Sequence, residues 1–119
     1  MAQNPRFEKL AADAISNIRE VSPAEAEVQQ QDGALLIDVR EADEFARGHA
    51  AGAVNLTRGV LELKIEQAAP DVAAPIVCYC GGGMRSALAA ESLTLMGYSN
   101  VTSLAGGFRA WREAGLPTS

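Results

Sequence analysis

Apolar positions recur at two different spacings along this chain, and the alternation between the two predicts helices and strands in turn. Helical spacing is clearest near the N-terminus, where it predicts an amphipathic helix over residues 5–18. The apolar positions of this helix are Phe7, Leu10, Ala11, Ala14, Ile15 and Ile18. We expect this face to pack on the core of the domain, the alternative being a surface for a partner or a second copy.

Short apolar runs bounded by turn residues predict buried strands at residues 34–39, 53–56, 76–80 and 101–104. Helical patterns lie between these runs. They cover Pro23 to Gln31 after a Ser22-Pro23-Ala24-Glu25 capping box, residues 41–46, a stretch around 60–69, Arg85 to Met96, and the segment after Gly106-Gly107. This alternation predicts an α/β domain whose central sheet is mainly parallel and flanked by helices on both faces.

Length and composition narrow the class of protein. The chain has 119 residues, of which 48% are hydrophobic and 21% charged, a balance typical of one folded globular domain. We expect an N-terminal helix over residues 1–19 and the main domain over residues 20–119. A net charge of -5 disfavours nucleic-acid partners. The absence of a long apolar run or signal-peptide pattern predicts no membrane association and a cytoplasmic location.

The segment from Val77 to Ser86 (VCYCGGGMRS) contains the candidate reactive residue, Cys80. A predicted buried strand ends at Cys80, three glycines follow, and a predicted helix begins near Arg85. Glycines allow successive N–H groups to converge on one point, and a helix start adds further N–H groups with a positive dipole end. Together with the charge of Arg85, this environment predicts that Cys80 is a thiolate at neutral pH. The same cradle would hold an additional anionic sulfur atom.

Other interpretations of this segment are weaker. Three glycines could form a plain flexible turn beside a buried cysteine. A phosphate-binding P-loop would require a Lys-Ser/Thr pair after the glycines, and none is present. A zinc site would have only Cys78, Cys80 and the single His49 as ligands, so no metal is expected.

Several motifs in unbroken order over residues 20–117 resemble the single-domain rhodanese family of sulfurtransferases. The motifs are Leu36-Ile37-Asp38-Val39-Arg40, Glu44-Phe45, Gly48-His49, Gly52-Ala53-Val54-Asn55, the loop from Cys80 to Ser86, Gly106-Gly107-Phe108, Trp111 and Gly115-Leu116-Pro117. Residues 1–19 lie outside the pattern. The resemblance implies a rhodanese-like fold and transfer of a sulfane sulfur from a small-molecule donor to a thiophilic acceptor.

The resemblance also implies a mechanism. The Cys80 thiolate would attack the outer sulfur of a donor such as thiosulfate and become a persulfide. The N–H groups of the loop would bind the substrate and its developing charge; they belong to Gly81, Gly82, Gly83, Met84, Arg85 and Ser86. The acceptor would be cyanide, a small thiol, or a thiol or persulfide protein. No cofactor is required.

Supporting roles are expected for charged residues around the loop. Arg85 would orient an anionic donor. Arg58 could supply a second cation at the pocket rim, or could be a solvated arginine paired with Glu62. The resemblance suggests that Asp38 and Arg40 brace the active loop through hydrogen bonds.

Two further residues have an expected structural role. His49 is expected to fix its own loop by hydrogen bonds rather than to act as a general base. Cys78 is expected to be a buried core residue, because a disulfide with Cys80 across one residue would be strained.

Alternatives remain in function and in donor. The fold could serve as a sulfur carrier or regulatory binding module. A Cys-based phosphatase or arsenate reductase is disfavoured, because four residues separate Cys80 from Arg85, one fewer than in those enzymes. The loop interior is uncharged, and Glu44 stands where animal thiosulfate enzymes carry a basic residue. A neutral donor, or a persulfide from a partner protein, therefore fits the loop about as well as thiosulfate.

Overall fold

A computed structural model describes residues 4–119 and shows a five-stranded parallel sheet between two layers of helices. Helices α1 to α6 span Pro5–Asn17, Pro23–Gln31, Ala42–Ala46, Leu61–Ala68, Met84–Leu95 and Gly107–Glu113. Strands β1 to β5 span Arg19–Val21, Leu35–Asp38, Val54–Asn55, Ile76–Tyr79 and Val101–Leu104. The strand order is β1-β5-β4-β2-β3, and every neighbouring pair is parallel. The predicted α/β class and parallel sheet are confirmed.

Strand β1 is the element that the sequence pattern did not predict. It has three residues, of which only Val21 is buried, so it contains no apolar run. It lies at the edge of the sheet and pairs with β5 through Arg19 opposite Thr102 and Val21 opposite Leu104. Its position is set by backbone pairing with β5 and by one side chain, that of Val21, which packs in the core.

The two faces of the sheet bury separate apolar clusters. Side chains alternate along β4, so that Val77 and Tyr79 pack with Trp111 of α6, whereas Ile76, Cys78 and Cys80 pack towards α4 and α5. Cys78 and Cys80 therefore share one face of the sheet. Cys80 immediately follows β4, and the three glycines after it lead into α5.

Helix α1 packs on α5 through small residues, and only part of its apolar face is covered. Ala11 and Ala14 are each 1% exposed. Phe7 and Leu10 remain 37% and 55% exposed, so the expectation that the whole face packs on the core is wrong for these two residues. Small side chains such as these alanines allow two helices to approach closely, and the two larger apolar side chains near the start of α1 stay partly exposed. Over residues 4–119, no helix has the length and apolar character that a bilayer crossing would require.

Candidate active site

Cys80 follows the last residue of β4 and is 1% exposed. Its Sγ accepts hydrogen bonds from the N–H of Gly83 at 3.1 Å and from the N–H of Ser86 at 3.3 Å. Gly83 has a φ of +105°, a left-handed conformation that glycine adopts readily and that turns the chain into α5. The loop thus brings two main-chain donors onto one sulfur, as the sequence predicted. Such donors stabilise negative charge on that atom.

Two buried hydroxyls extend this network. The Oγ of Ser86 lies 3.4 Å from the Cys80 Sγ and 2.8 Å from the Oγ of Ser103, and both serines are fully buried. Ser103 belongs to β5, where its Cα is in register with that of Cys78. Sequence reasoning missed Ser103. Two adjacent hydroxyl residues, Thr102 and Ser103, within a short predicted strand were the available signal, because buried hydroxyls need a partner.

N–H groups at the start of α6 donate hydrogen bonds to main-chain carbonyls of the loop that contains Cys80. The N–H of Phe108 donates to the carbonyl of Cys80 at 2.7 Å, and the N–H of Arg109 donates to the carbonyl of Gly81 at 3.2 Å. Gly107 has a φ of +60°, and a Cβ there would lie against the Cys80 carbonyl oxygen and 2.7 Å from the Gly81 oxygen. Sequence reasoning gave Gly107 no site role, although the Gly106-Gly107 pair marked a position where the backbone approaches another segment closely.

A surface pocket of about 290 Å³ reaches Cys80. It is lined by Phe7, Cys80, Gly82, Met84 and Arg85. The Met84 side chain is 43% exposed and forms part of the wall. Phe7 comes from α1, outside the loop that the sequence identified. A larger pocket of about 430 Å³ lies beside Gly81 and contacts α6, but Cys80 is not among the described residues that line it.

Arg85 lines the pocket but does not offer an unopposed charge. Its Nη1 and Nη2 donate to Oε1 and Oε2 of Glu44 at 3.1 and 3.3 Å. The hydrogen bonds from Arg85 lower the pKa of the Glu44 carboxyl below its usual 4.5, and those to Glu44 raise the pKa of Arg85. Both groups are therefore charged throughout the neutral range, and the cation expected for an anionic donor is shared with a carboxylate.

Asp38 and Arg40 form a buried ion pair beside the site. The Arg40 Nη2 donates to Asp38 Oδ2 at 2.7 Å and to the carbonyl of Gly48, also at 2.7 Å. Burial lowers the pKa of Arg40, but the hydrogen bonds and charge of Asp38 raise it by more. The guanidinium carbon lies 4.6 Å from the centre of the Phe108 ring. The pair thus contacts the residue whose N–H binds Cys80, and reaches the active loop through Phe108.

Asn55 adds to this arrangement, a contribution that sequence reasoning missed. Its side-chain Nδ2 donates to the carbonyls of Asp38 and Arg40 at 2.9 and 3.0 Å. A side-chain amide at the end of a short strand was the signal, because a partly buried amide needs hydrogen-bond partners.

His49 and Arg58 are not among the described residues that line the Cys80 pocket. The His49 Nδ1 lies 2.9 Å from the Phe45 carbonyl, and the ring stacks on that of Phe45, so these two contacts of His49 are with the end of α3. Arg58 pairs with Glu62 at 2.7 Å, which is the surface alternative considered from the sequence.

Cys78 is fully buried and is a free thiol. Burial, together with the neighbouring Cys80, raises the pKa of the Cys78 thiol to about 12. Thiolate character is therefore suppressed at Cys78. Within residues 4–119, no group of three or more His, Cys, Asp and Glu side chains is placed to hold a metal ion.

Comparison with known proteins gives the family. The family model for the rhodanese-like domain matches residues 22–114. A curated relative, the thiosulfate sulfurtransferase GlpE of Haemophilus influenzae, is 39% identical over 101 residues, which cover 85% of this chain and 94% of the relative.

Two solved structures align over almost the whole chain. A Rhodopseudomonas palustris protein of unknown function, described as a possible tyrosine phosphatase, has a TM-score of 0.83 and 32% identity, covering 100% of this chain and 96% of its own. The polysulfide-sulfur transferase homodimer of Wolinella succinogenes also has a TM-score of 0.83, with 29% identity over 97% of this chain and 88% of its own. This chain therefore belongs to the rhodanese-like domain family and is an enzyme of the thiosulfate sulfurtransferase-like type.

Proposed function

We propose that Cys80 accepts a sulfane sulfur as a persulfide and passes it to a thiophilic acceptor. The observation that carries this proposal is the convergence of two main-chain donors and one buried hydroxyl on one sulfur. The N–H groups of Gly83 and Ser86 and the hydroxyl of Ser86 all lie within 3.4 Å of the Cys80 Sγ, at the wall of an open pocket. These groups offset the charge of a thiolate and of the persulfide that replaces it.

The first half-reaction is a displacement at sulfur. The Cys80 thiolate attacks the outer sulfur of thiosulfate, a new S–S bond forms, and the bond to the sulfonate sulfur breaks. Sulfite leaves with that electron pair, and the enzyme retains a persulfide whose outer sulfur carries the negative charge. We assign the loop N–H groups from Gly81 to Ser86 to this outer sulfur.

The second half-reaction restores the enzyme. Cyanide or a thiolate attacks the outer sulfur, takes it as thiocyanate or as a new persulfide, and the electron pair of the S–S bond returns to Cys80. Each step breaks one sulfur–sulfur bond and forms one new bond to the transferred sulfur, and neither step needs an external oxidant or reductant. The reaction therefore runs on Cys80 without a cofactor.

Thiosulfate and persulfide or polysulfide sulfur are the donor classes that we propose. The name of the Haemophilus influenzae relative supports the first, and that of the Wolinella succinogenes protein supports the second. Thiol acceptors include a thiol or persulfide protein as well as small molecules. Asp38 and Arg40 position the loop through Phe108, and Arg85 faces the donor in its pair with Glu44.

A phosphatase is a weaker candidate for the same loop, even though the Rhodopseudomonas palustris neighbour is described as a possible one. A phosphate needs a forked arginine for its oxygens. Here both terminal nitrogens of Arg85 are already bound to the carboxylate of Glu44. The Arg85 guanidinium is therefore not free to bind two oxygens of a phosphate monoester.

The test is intact mass after incubation with thiosulfate, followed by addition of cyanide. Wild type and Cys78→Ala should gain one sulfur atom and release it as thiocyanate, and Cys80→Ser should do neither. A gain that depends on Cys78 would overturn the assignment. Persulfide formation without turnover to any acceptor would favour a sulfur carrier, and hydrolysis of an aryl phosphate by wild type would favour the phosphatase.

A further inference from the structure

Phe7 forms part of the pocket wall opposite the active loop, although it lies in α1, which precedes the segment matched by the family model. Its ring is 37% exposed. The helix packs on α5, and Ala11 and Ala14 of this helix are each 1% exposed, whereas Phe7 is much less buried. An aromatic side chain that is left partly open at a reactive pocket is available for contact with a ligand.

The remaining walls point to the chemistry of that ligand. Met84 adds a polarizable apolar side chain, which makes favourable contacts with aromatic groups. Arg85 adds a cation, but Glu44 balances it through two hydrogen bonds. The pocket is therefore lined by the apolar side chains of Phe7 and Met84 and by an arginine whose charge is largely balanced. Such a lining fits a donor with an apolar substituent better than a small dianion.

We propose that Phe7 is a specificity-determining residue, which makes the enzyme favour organic sulfane-sulfur donors that carry an apolar substituent over inorganic thiosulfate. This inference rests on the persulfide chemistry of Cys80 proposed above. With an organic thiosulfonate, R–SO2–S⁻, the Cys80 thiolate attacks the outer sulfur and the S–S bond to the sulfonyl sulfur breaks. The sulfinate R–SO2⁻ leaves with the electron pair, and the Cys80 persulfide is the same as that formed from thiosulfate.

The ring of Phe7 would contact the substituent R while the outer sulfur reaches Cys80. Loss of an offset stack between two aromatic groups should lower the rate at limiting substrate roughly three- to ten-fold, which converts to about 0.65–1.35 kcal/mol and lies within the range typical of such pairs. Benzenethiosulfonate is the matched probe, since it differs from thiosulfate by a phenyl group in place of one oxygen and by one negative charge.

The measurement is the ratio of kcat/KM for benzenethiosulfonate to kcat/KM for thiosulfate, with cyanide as the common acceptor and the full chain as enzyme. Phe7→Ala should lower this ratio about three- to ten-fold, and Phe7→Leu should lower it by less because an apolar wall is kept. Leu10→Ala is the control. Leu10 is exposed on the same helix and does not line the pocket, so the ratio should stay at the wild-type value.

The use of a ratio separates a specificity effect from general damage, since loss of α1 packing would slow both donors together. An unchanged ratio in Phe7→Ala and Phe7→Leu, or an equal fall in Leu10→Ala, would overturn the role of Phe7. The intact mass of the wild type, measured after incubation with each donor, tests the proposed persulfide chemistry separately. If neither donor adds a sulfur to Cys80, it is the proposed persulfide chemistry that is wrong.

Discussion

Glu44 of α3 and Arg85 of α5 are joined by two parallel hydrogen bonds of 3.1 and 3.3 Å at the edge of the pocket that holds Cys80. The two residues are far apart in sequence, so the pair ties the helix after β2 to the helix that follows the active loop. A forked geometry of this kind fixes the guanidinium plane. The charge of Arg85 is thereby oriented and partly neutralised at the same time.

We predict that Glu44→Gln increases the rate with thiosulfate. Removal of the carboxylate leaves the Arg85 charge available to a dianion. An added attraction of about 1 kcal/mol, the value for two unit charges about 4 Å apart in water, corresponds to roughly a five-fold rise in kcat/KM. The measurement is steady-state kinetics at low and high salt. The gain should shrink at high salt, because exposed charges are screened.

Asp43→Asn is the control for this prediction. It removes the same charge from the same helix, but Asp43 pairs with the exposed Arg47 rather than with Arg85. It should therefore leave kcat/KM for thiosulfate near the wild-type value. An equal increase in both variants would mean that net charge, and not release of Arg85, is responsible.

The expected pH dependence of this effect follows from the direction in which Arg85 shifts the pKa of Glu44. Arg85 lowers the pKa of Glu44 below 4.5, so the pair is intact above the unfolded pKa and is lost only as pH falls through the lower folded value. The advantage of Glu44→Gln should accordingly be constant from about pH 5 to pH 9. An advantage that grows with pH across that range would contradict the assignment.

The sequence contained enough information for the alternation of strands and helices and for the loop from Cys80 to Ser86. Apolar runs such as Ile76–Tyr79 are fully buried, and burial is what periodicity detects. Strand β1 could not be predicted in this way, because only Val21 of its three residues is buried. The convergence of N–H groups on Cys80 could be predicted because glycines and a helix start follow it directly in the chain.

Contacts between distant segments were harder to predict. Ser103 and Gly107 meet the loop only because β5 lies beside β4 and α6 follows it. Phe7 reaches the pocket because small alanines set how closely α1 approaches α5. The pairing of Arg85 with Glu44 likewise depends on the placement of α3. Each of these contacts depends on distances in the folded structure, which the spacing of residues along the chain does not reveal.

We predict that Gly107→Ala disables the active loop. The residue has a φ of +60°, and its Cβ would collide with the carbonyl oxygens of Cys80 and Gly81. The loop must shift, and the bond from the Phe108 N–H to the Cys80 carbonyl must lengthen or break. A displacement of about 1 Å costs on the order of a hundred-fold in rate, so the persulfide should form about a hundred times more slowly.

The control for this variant is Gly59→Ala, since a Cβ there meets no atom within 4 Å and the backbone is not left-handed. It should change neither rate nor stability appreciably. Single-turnover persulfide formation, followed by mass spectrometry, distinguishes the two variants. Near-normal rates in Gly107→Ala would mean that the α6 contact does not position Cys80.

The last prediction concerns the buried pair of Asp38 and Arg40. Arg40→Ala leaves the Asp38 carboxylate, which is 0% exposed, without its guanidinium partner. Removing one member of a buried ion pair typically costs about 3–5 kcal/mol in the free energy of unfolding. Urea denaturation should show a lower midpoint with an unchanged slope. Arg47→Ala, which breaks an exposed pair with Asp43, should cost less than about 1 kcal/mol.

A double variant separates loss of the pair from loss of packing. Asp38→Ala with Arg40→Ala removes both charges, so it should be less destabilised than the sum of the single variants, because no charge is left unpaired. Arg40→Ala should also slow persulfide formation, since the guanidinium no longer packs on the Phe108 ring beside Cys80. Additive losses of stability in the double variant would show that the two residues contribute independently and that their ion pair does not brace the loop.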